Sequence, residues 1–181
     1  MAPGIADELR TILREIWERE GNRPAVAAVR AEAFFHEPTY PAFRDLMEAA
    51  RRAGVRDKVR DAAMRYLIGG ERPPAGGGVI PGVLPDTGVG VRAPRRESTA
   101  PVADTLIEIA IAEERPDEIL HWYDRWKEDR IDHYRRHNLE DRVADAVVDA
   151  YPERANAIWR EKAERLIAEA RPRSYEESLR Y

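Results

Sequence analysis

Apolar residues recur at intervals of three and four through most of this chain, and glycine or proline punctuates the recurrences. The strongest instance lies between Pro116 and Ile131. There Ile119, Trp122, Tyr123 and Trp126 fall on one helical stripe, with Asp124, Arg125, Lys127 and Glu128 mostly off it. One helix cannot bury so heavy a stripe alone, so its neighbours should be helices with stripes of their own. The sequence supplies them. Ile5, Leu9, Ile12, Leu13, Ile16 and Trp17 predict a first helix, closed by Gly21. Val26, Val29, Ala33 and Phe34 give the buried face of a second, which Pro38 ends. Phe43, Leu46, Met47 and Ala50 mark a third, with Gly54 past its end. Val55, Val59, Ala62, Ala63, Tyr66 and Leu67 mark a fourth, stopped by Gly69 and Gly70.

Residues 69–101 break this pattern. They hold eight of the eleven glycines and six of the thirteen prolines, and no helical period runs through them. A stretch of that kind and length is a linker or a functional segment. Two apolar knots, Val79-Ile80 and Val83-Leu84, suggest that part of it lies along the helices in extended form; the flanking glycines equally suit a plain flexible linker. It is no phosphate cradle, since Gly76-Gly77-Gly78 leads into Val79-Ile80 with no Gly-Lys-Ser/Thr.

Helical pattern resumes with Ser98 or Thr99 as cap and Pro101 in the first turn. Ala103, Leu106, Ile107, Ala110 and Ile111 follow. After the Pro116 helix, Asn138 is the expected cap of another, carrying Leu139, Val143, Val147 and Ala150. Pro152 opens the last full stripe: Ala155, Ile158, Trp159, Ala163, Leu166, Ile167 and Ala170. Pro116 and Pro152 are 36 residues apart, as are Ile131 and Ile167, which is the period of a helix-hairpin repeat. The tetratricopeptide consensus itself is absent. The expected fold is therefore all-α: antiparallel helix hairpins stacked as a short α-solenoid, like tetratricopeptide or HEAT arrays. Residues 5–69 form a four-helix segment, 70–100 a Gly/Pro-rich linker, and 101–181 a helical-repeat segment. Ser174-x-x-Glu177 is a capping box for a further helix with under two turns to run. That suggests a repeat continuing in a longer parent protein. Trp17, Phe43, Trp122, Tyr123, Trp126 and Trp159 are the expected core aromatics.

The C-terminal part resembles the helical region of prokaryotic SWIM zinc-finger proteins. The residues that carry the likeness are PDEILHWYDRW and AYPERANAIWREKAERLIAEARPRSYEESLRY, with Ala155, Trp159, Ala163-Glu164 and Leu166-Ile167 on the pattern and Ser178 off it. The family's defining Cys/His ligands are missing, so no zinc role transfers. What the resemblance implies is an accessory helical domain in a protein that elsewhere touches nucleic acid.

Composition narrows the function. With 181 residues, 43% apolar, the chain can bury a core; with 35% charged, both signs interspersed, its helices have well-solvated outer faces. A net charge of −4 argues against a dedicated nucleic-acid binder. All but three of the 30 basic residues are arginine, which reads first as codon usage and second as clamps for phosphate or carboxylate. The absence of cysteine excludes disulfides, thiolate zinc sites and thiol nucleophiles within the chain. No apolar run is long enough for a membrane span and no signal peptide opens the chain, so a cytoplasmic location is the default expectation.

Three constellations hold candidate chemistry. His133 and His137 stand four apart, the spacing of a helical metal pair, with His121, Asp124 and Asp132 close in sequence. The Arg135-Arg136 pair between the two histidines repels a cation, and the plainer reading is a polar helix end. Asp141, Asp145 and Asp149 recur at four-residue spacing, as a solvated face or a carboxylate ladder. Arg51, Arg52, Arg56, Lys58, Arg60 and Arg65, with Arg92, Arg95 and Arg96, form a basic rim that could meet a partner or phosphate, though Asp57 and Asp61 interrupt it. No catalytic motif appears and no cofactor is implied. The expected function is a non-enzymatic scaffold for a protein partner. The alternatives are a nucleic-acid accessory module and a metal-dependent hydrolase near His121, His133 and His137.

Overall fold

A computed structural model describes residues 3–74, 76–88, 100–128 and 136–170. Among these there are eight helices and no strand. They are α1 (Pro3–Arg19), α2 (Arg23–His36), α3 (Tyr40–Arg52), α4 (Arg56–Gly69), α5 (Ala103–Ala112), α6 (Pro116–Glu128), α7 (Arg136–Val147) and α8 (Pro152–Ala170). None of the described helices is long and apolar enough to cross a membrane. The chain divides into two compact units, Met1–Thr105 and Leu106–Tyr181, with the division falling inside α5.

In the first unit, α2, α3 and α4 each pack on the helix before them. Local signals start and stop them. The Asn22 side chain accepts from the Ala25 amide at the start of α2, and Thr39 accepts from Ala42 at the start of α3, each with a proline in the first turn. Gly54 supplies the left-handed residue after α3, letting the Val55 amide reach back to the Ala50 carbonyl. The core is aromatic. Phe34 is fully buried, with the rings of Phe35, Phe43 and Tyr66 at 5.3, 6.0 and 6.1 Å from its own. Ala33, expected inside, is exposed: it lies on the far side of α2 from that cluster. Ile12 of α1 is also exposed.

The described part of the Gly/Pro-rich stretch belongs to this unit. Ile80 and Leu84 are buried and joined by an antiparallel bridge. The backbone between them turns instead of running extended as expected. The Leu84 and Val83 amides both bond to the Ile80 carbonyl, and Val79 bonds to Pro85. Two polar contacts pin the segment to α2. The Arg72 guanidinium donates to the Phe35 carbonyl, and the Thr87 hydroxyl donates to the buried Glu32 carboxylate. We call residues 71–88 the strap.

Gly78 is what allows the strap to close. Its φ is +118°, and a Cβ there would be driven into the Leu84 carbonyl oxygen. Gly78→Val should therefore undock the strap without unfolding α1 to α4. The check is limited proteolysis with mass spectrometry: cleavage within 71–88 should accelerate at least tenfold while far-UV dichroism keeps its helical amplitude.

In the second unit, α6 packs on α7 and α7 on α8. The core holds Ile107, Ala110, Ile119, Tyr123, Leu139, Val143, Val147, Ala155 and Ile158. On the aromatic stripe of α6, Ile119 and Tyr123 are buried, while Trp122 and Trp126 are half-buried and pack against the edge, as Trp159 does from α8. Trp17 is half-buried too, so of the six expected core aromatics Phe43 and Tyr123 are fully inside. Ion pairs join helices distant in sequence: Lys127 with Glu161, Arg154 with Asp124, Arg142 with Glu108, Lys162 with Asp141. The Arg165 guanidinium donates through two nitrogens to the buried Glu140 carboxylate.

Three sequence expectations are corrected here. Pro101 precedes α5 and does not sit in its first turn, because the helix begins at Ala103. Asn138 lies within α7, which begins at Arg136. The distal half of the last stripe is not core: Ala163, Leu166 and Ile167 are exposed, while the residues of that stretch that reach α7 are the polar Lys162 and Arg165, bonded to Asp141 and Glu140.

Candidate functional site

Helix α4 presents Lys58, Asp61, Ala62 and Arg65 at offsets of three, four and seven, so all four share one face. The start of the strap, Glu71 to Pro74, runs opposite them, and Ile80, Pro81 and Val83 close the floor. Between the two lies an open groove of about 430 Å³, within the range of natural ligand clefts of roughly 300–1,000 Å³. Ala62 and Ile80 are buried beneath it, and Arg72 is held in place by its bond to Phe35 and by stacking 5.4 Å above the Tyr66 ring. The three prolines of the lining, Pro73, Pro74 and Pro81, have little freedom left to lose on binding.

Charge is distributed unevenly over this unit. Glu48 receives hydrogen bonds from Arg51 at 2.9 and 3.0 Å and from Arg52 at 2.9 Å, and these two guanidinium groups hold its carboxyl down at about 2. Arg30 and Arg44 both meet Asp45, and Arg14 meets Glu18. Other charges of the unit stand outside ion pairs among the described residues: Arg19, Glu20 and Arg23 at the α1–α2 turn, and a group around the groove. Among the described residues, Arg56, Lys58, Asp61, Arg65 and Glu71 close no ion pair. Yet Lys58 with Asp61 and Asp61 with Arg65 have the spacings at which helical pairs form.

The sequence-predicted residues are thus sorted. Of the basic rim, Arg51 and Arg52 are taken up by Glu48, Arg56 is exposed at the first position of α4, Arg60 is half-buried on α4, and Lys58 lines the groove. Arg92, Arg95 and Arg96 lie outside the described residues, as do Asp132 and His133. His137 falls in the first turn of α7. His121 is exposed on α6, edge-on to Trp122 with ring centroids 4.6 Å apart. Among the described residues no three His, Asp or Glu side chains come together as a metal-holding group. Asp141 of the acidic ladder is paired with Lys162, while Asp145 and Asp149 are exposed. Sequence reasoning missed Glu71, Arg72 and the Pro73-Pro74 wall. The signal was a charged pair followed by two prolines directly after Gly69-Gly70.

No protein-family model, curated protein or solved structure matches the chain.

Proposed function

We propose that this protein is a non-catalytic helical scaffold that docks a protein partner in the groove between α4 and the strap. Its helices are taken as hairpins of a short α-solenoid, similar in role to the helical region of SWIM zinc-finger proteins. One observation carries the reading: an open, proline-walled groove is rimmed by Lys58, Asp61, Arg65 and Glu71, which close no ion pair among the described residues. Unpaired charge beside a rigid apolar floor suits recognition, because both the specificity and the contact area are already in place. A selection from a random peptide display library on the full chain, with counter-selection on Lys58→Glu/Arg65→Glu, tests it. Enriched peptides should bind the native chain and lose at least tenfold on the variant. Recovery of no peptide, or of peptides indifferent to the variant, would reject the reading.

A second reading has one observation in its favour. Among the described residues, Arg56, Lys58 and Arg65 of α4 have no ion-pair partner, and a nucleic-acid phosphate backbone would suit them. Against it stand Asp57, Asp61 and Glu71, interleaved with those cations, and the absence of an aromatic ring from the groove lining on which a base could stack. Duplex DNA binding that falls steeply with salt and weakens with Lys58→Ala/Arg65→Ala would favour this reading.

A further inference from the structure

Resting on the docking reading above, we infer that the occupant of the groove is a short extended peptide whose charged residues alternate acidic, basic, acidic, with apolar residues between them. The pattern follows from the two walls. The α4 wall reads positive, negative, positive at Lys58, Asp61 and Arg65. Seven residues of helix carry that pattern over about 10.5 Å. The complement is negative, positive, negative. In an extended strand, side chains at alternate positions share one face, and the first and fifth are about 13 Å apart. That matches the wall to within one residue's rise. The intervening residues then project to the other side, where Ile80, Pro81, Val83 and the Pro73-Pro74 pair offer apolar contact. Glu71, beside Gly69 at the end of α4, adds a second negative group to the lining. A uniformly acidic segment would meet Asp61 and Glu71 unfavourably, and a uniformly basic one would meet Lys58 and Arg65.

The test uses fluorescently labelled Glu-Leu-Lys-Leu-Glu and the full chain, read by anisotropy. The matched peptide should bind at least tenfold more tightly than Leu-Leu-Glu-Glu-Lys, of the same composition, and than the inverted Lys-Leu-Glu-Leu-Lys. Lys58→Glu/Arg65→Glu should weaken it at least tenfold. Adding Asp61→Lys should switch preference to the inverted peptide by a similar factor. All three side chains are exposed, so the variants keep the fold, which dichroism verifies. Equal binding of matched and scrambled peptides, or no preference switch in the triple variant, overturns the inference. The display selection separates the two levels. Peptides that need Lys58 and Arg65 but lack the alternating pattern defeat the occupant and leave the docking reading intact, whereas an empty selection defeats both.

Discussion

Phe34→Ala should destabilise the first unit by about 3–5 kcal/mol. The Phe34 ring is wholly buried and is the one on which aromatic side chains from α2, α3 and α4 converge: Phe35, Phe43 and Tyr66 all lie within about 6 Å of it. Truncation removes the transfer energy of the ring and leaves a hole that three rigid neighbours cannot collapse to fill, and it removes edge-on ring pairs worth roughly 0.5–1.5 kcal/mol each. Against a total of about 5–15 kcal/mol for an ordinary domain, that loss is large. Ala33, one residue away and solvent-exposed, provides the contrast. Ala33→Gln should stay within about 0.5 kcal/mol of the parent. Urea titration followed by hydrogen exchange of α2 to α4 reads both. Equal effects at the two positions would mean that α2 is rotated from the orientation described.

Tyr123→Ala should cost the second unit a comparable amount, while Tyr123→Phe should cost nothing or stabilise by up to about 1 kcal/mol. Tyr123 is 1% exposed, stacks on Trp126 at 5.9 Å and carries Lys127 over its ring, so the ring is central to the core. Its hydroxyl has no hydrogen-bond partner among the described residues. Deleting the hydroxyl therefore removes a desolvation cost and no bond. The same burial, helped by the negative charge of Glu140, pushes the phenol well above its ordinary value of 10.0. The folded state thus holds a proton that the unfolded chain releases. Stability is fully present below pH 10 and falls above it, by about 1.4 kcal/mol per pH unit until the buried phenol itself ionises. Tyr123→Phe should remove this part of the alkaline loss. Thermal melts between pH 8 and 11, compared for parent and variant, measure it.

How much of this was legible in the sequence differs between backbone and site. The helices follow from apolar period and punctuation. Pro116 and Pro152 open α6 and α8, and Gly54 and Gly70 follow α3 and α4, as local chemistry requires. Burial was less legible, because a stripe says which residues share a face and not on which side of it the neighbouring helix packs. Leu166 and Ile167 lie on the same stripe as Ile158 and are exposed, while Lys162 and Arg165 make the contacts to α7. The strap has no period to read, and its contacts to Phe35 and Glu32 span 37 and 55 residues. The neutralisation of Arg51 and Arg52 was within reach, since Glu48 stands three and four residues before them. The groove was not, because it exists only where α4 and the strap come together.

A partner docked between α4 and the strap, as proposed, would change the surroundings of the backbone amides there. The most direct test is an amide ¹H–¹⁵N correlation map of the full chain titrated with a peptide recovered from the display selection. Saturable shifts confined to residues 58–65, 71–74 and 76–83, abolished by Lys58→Glu/Arg65→Glu, are the expected result. Shifts clustered instead on α6 to α8, or none at saturating peptide, would contradict it.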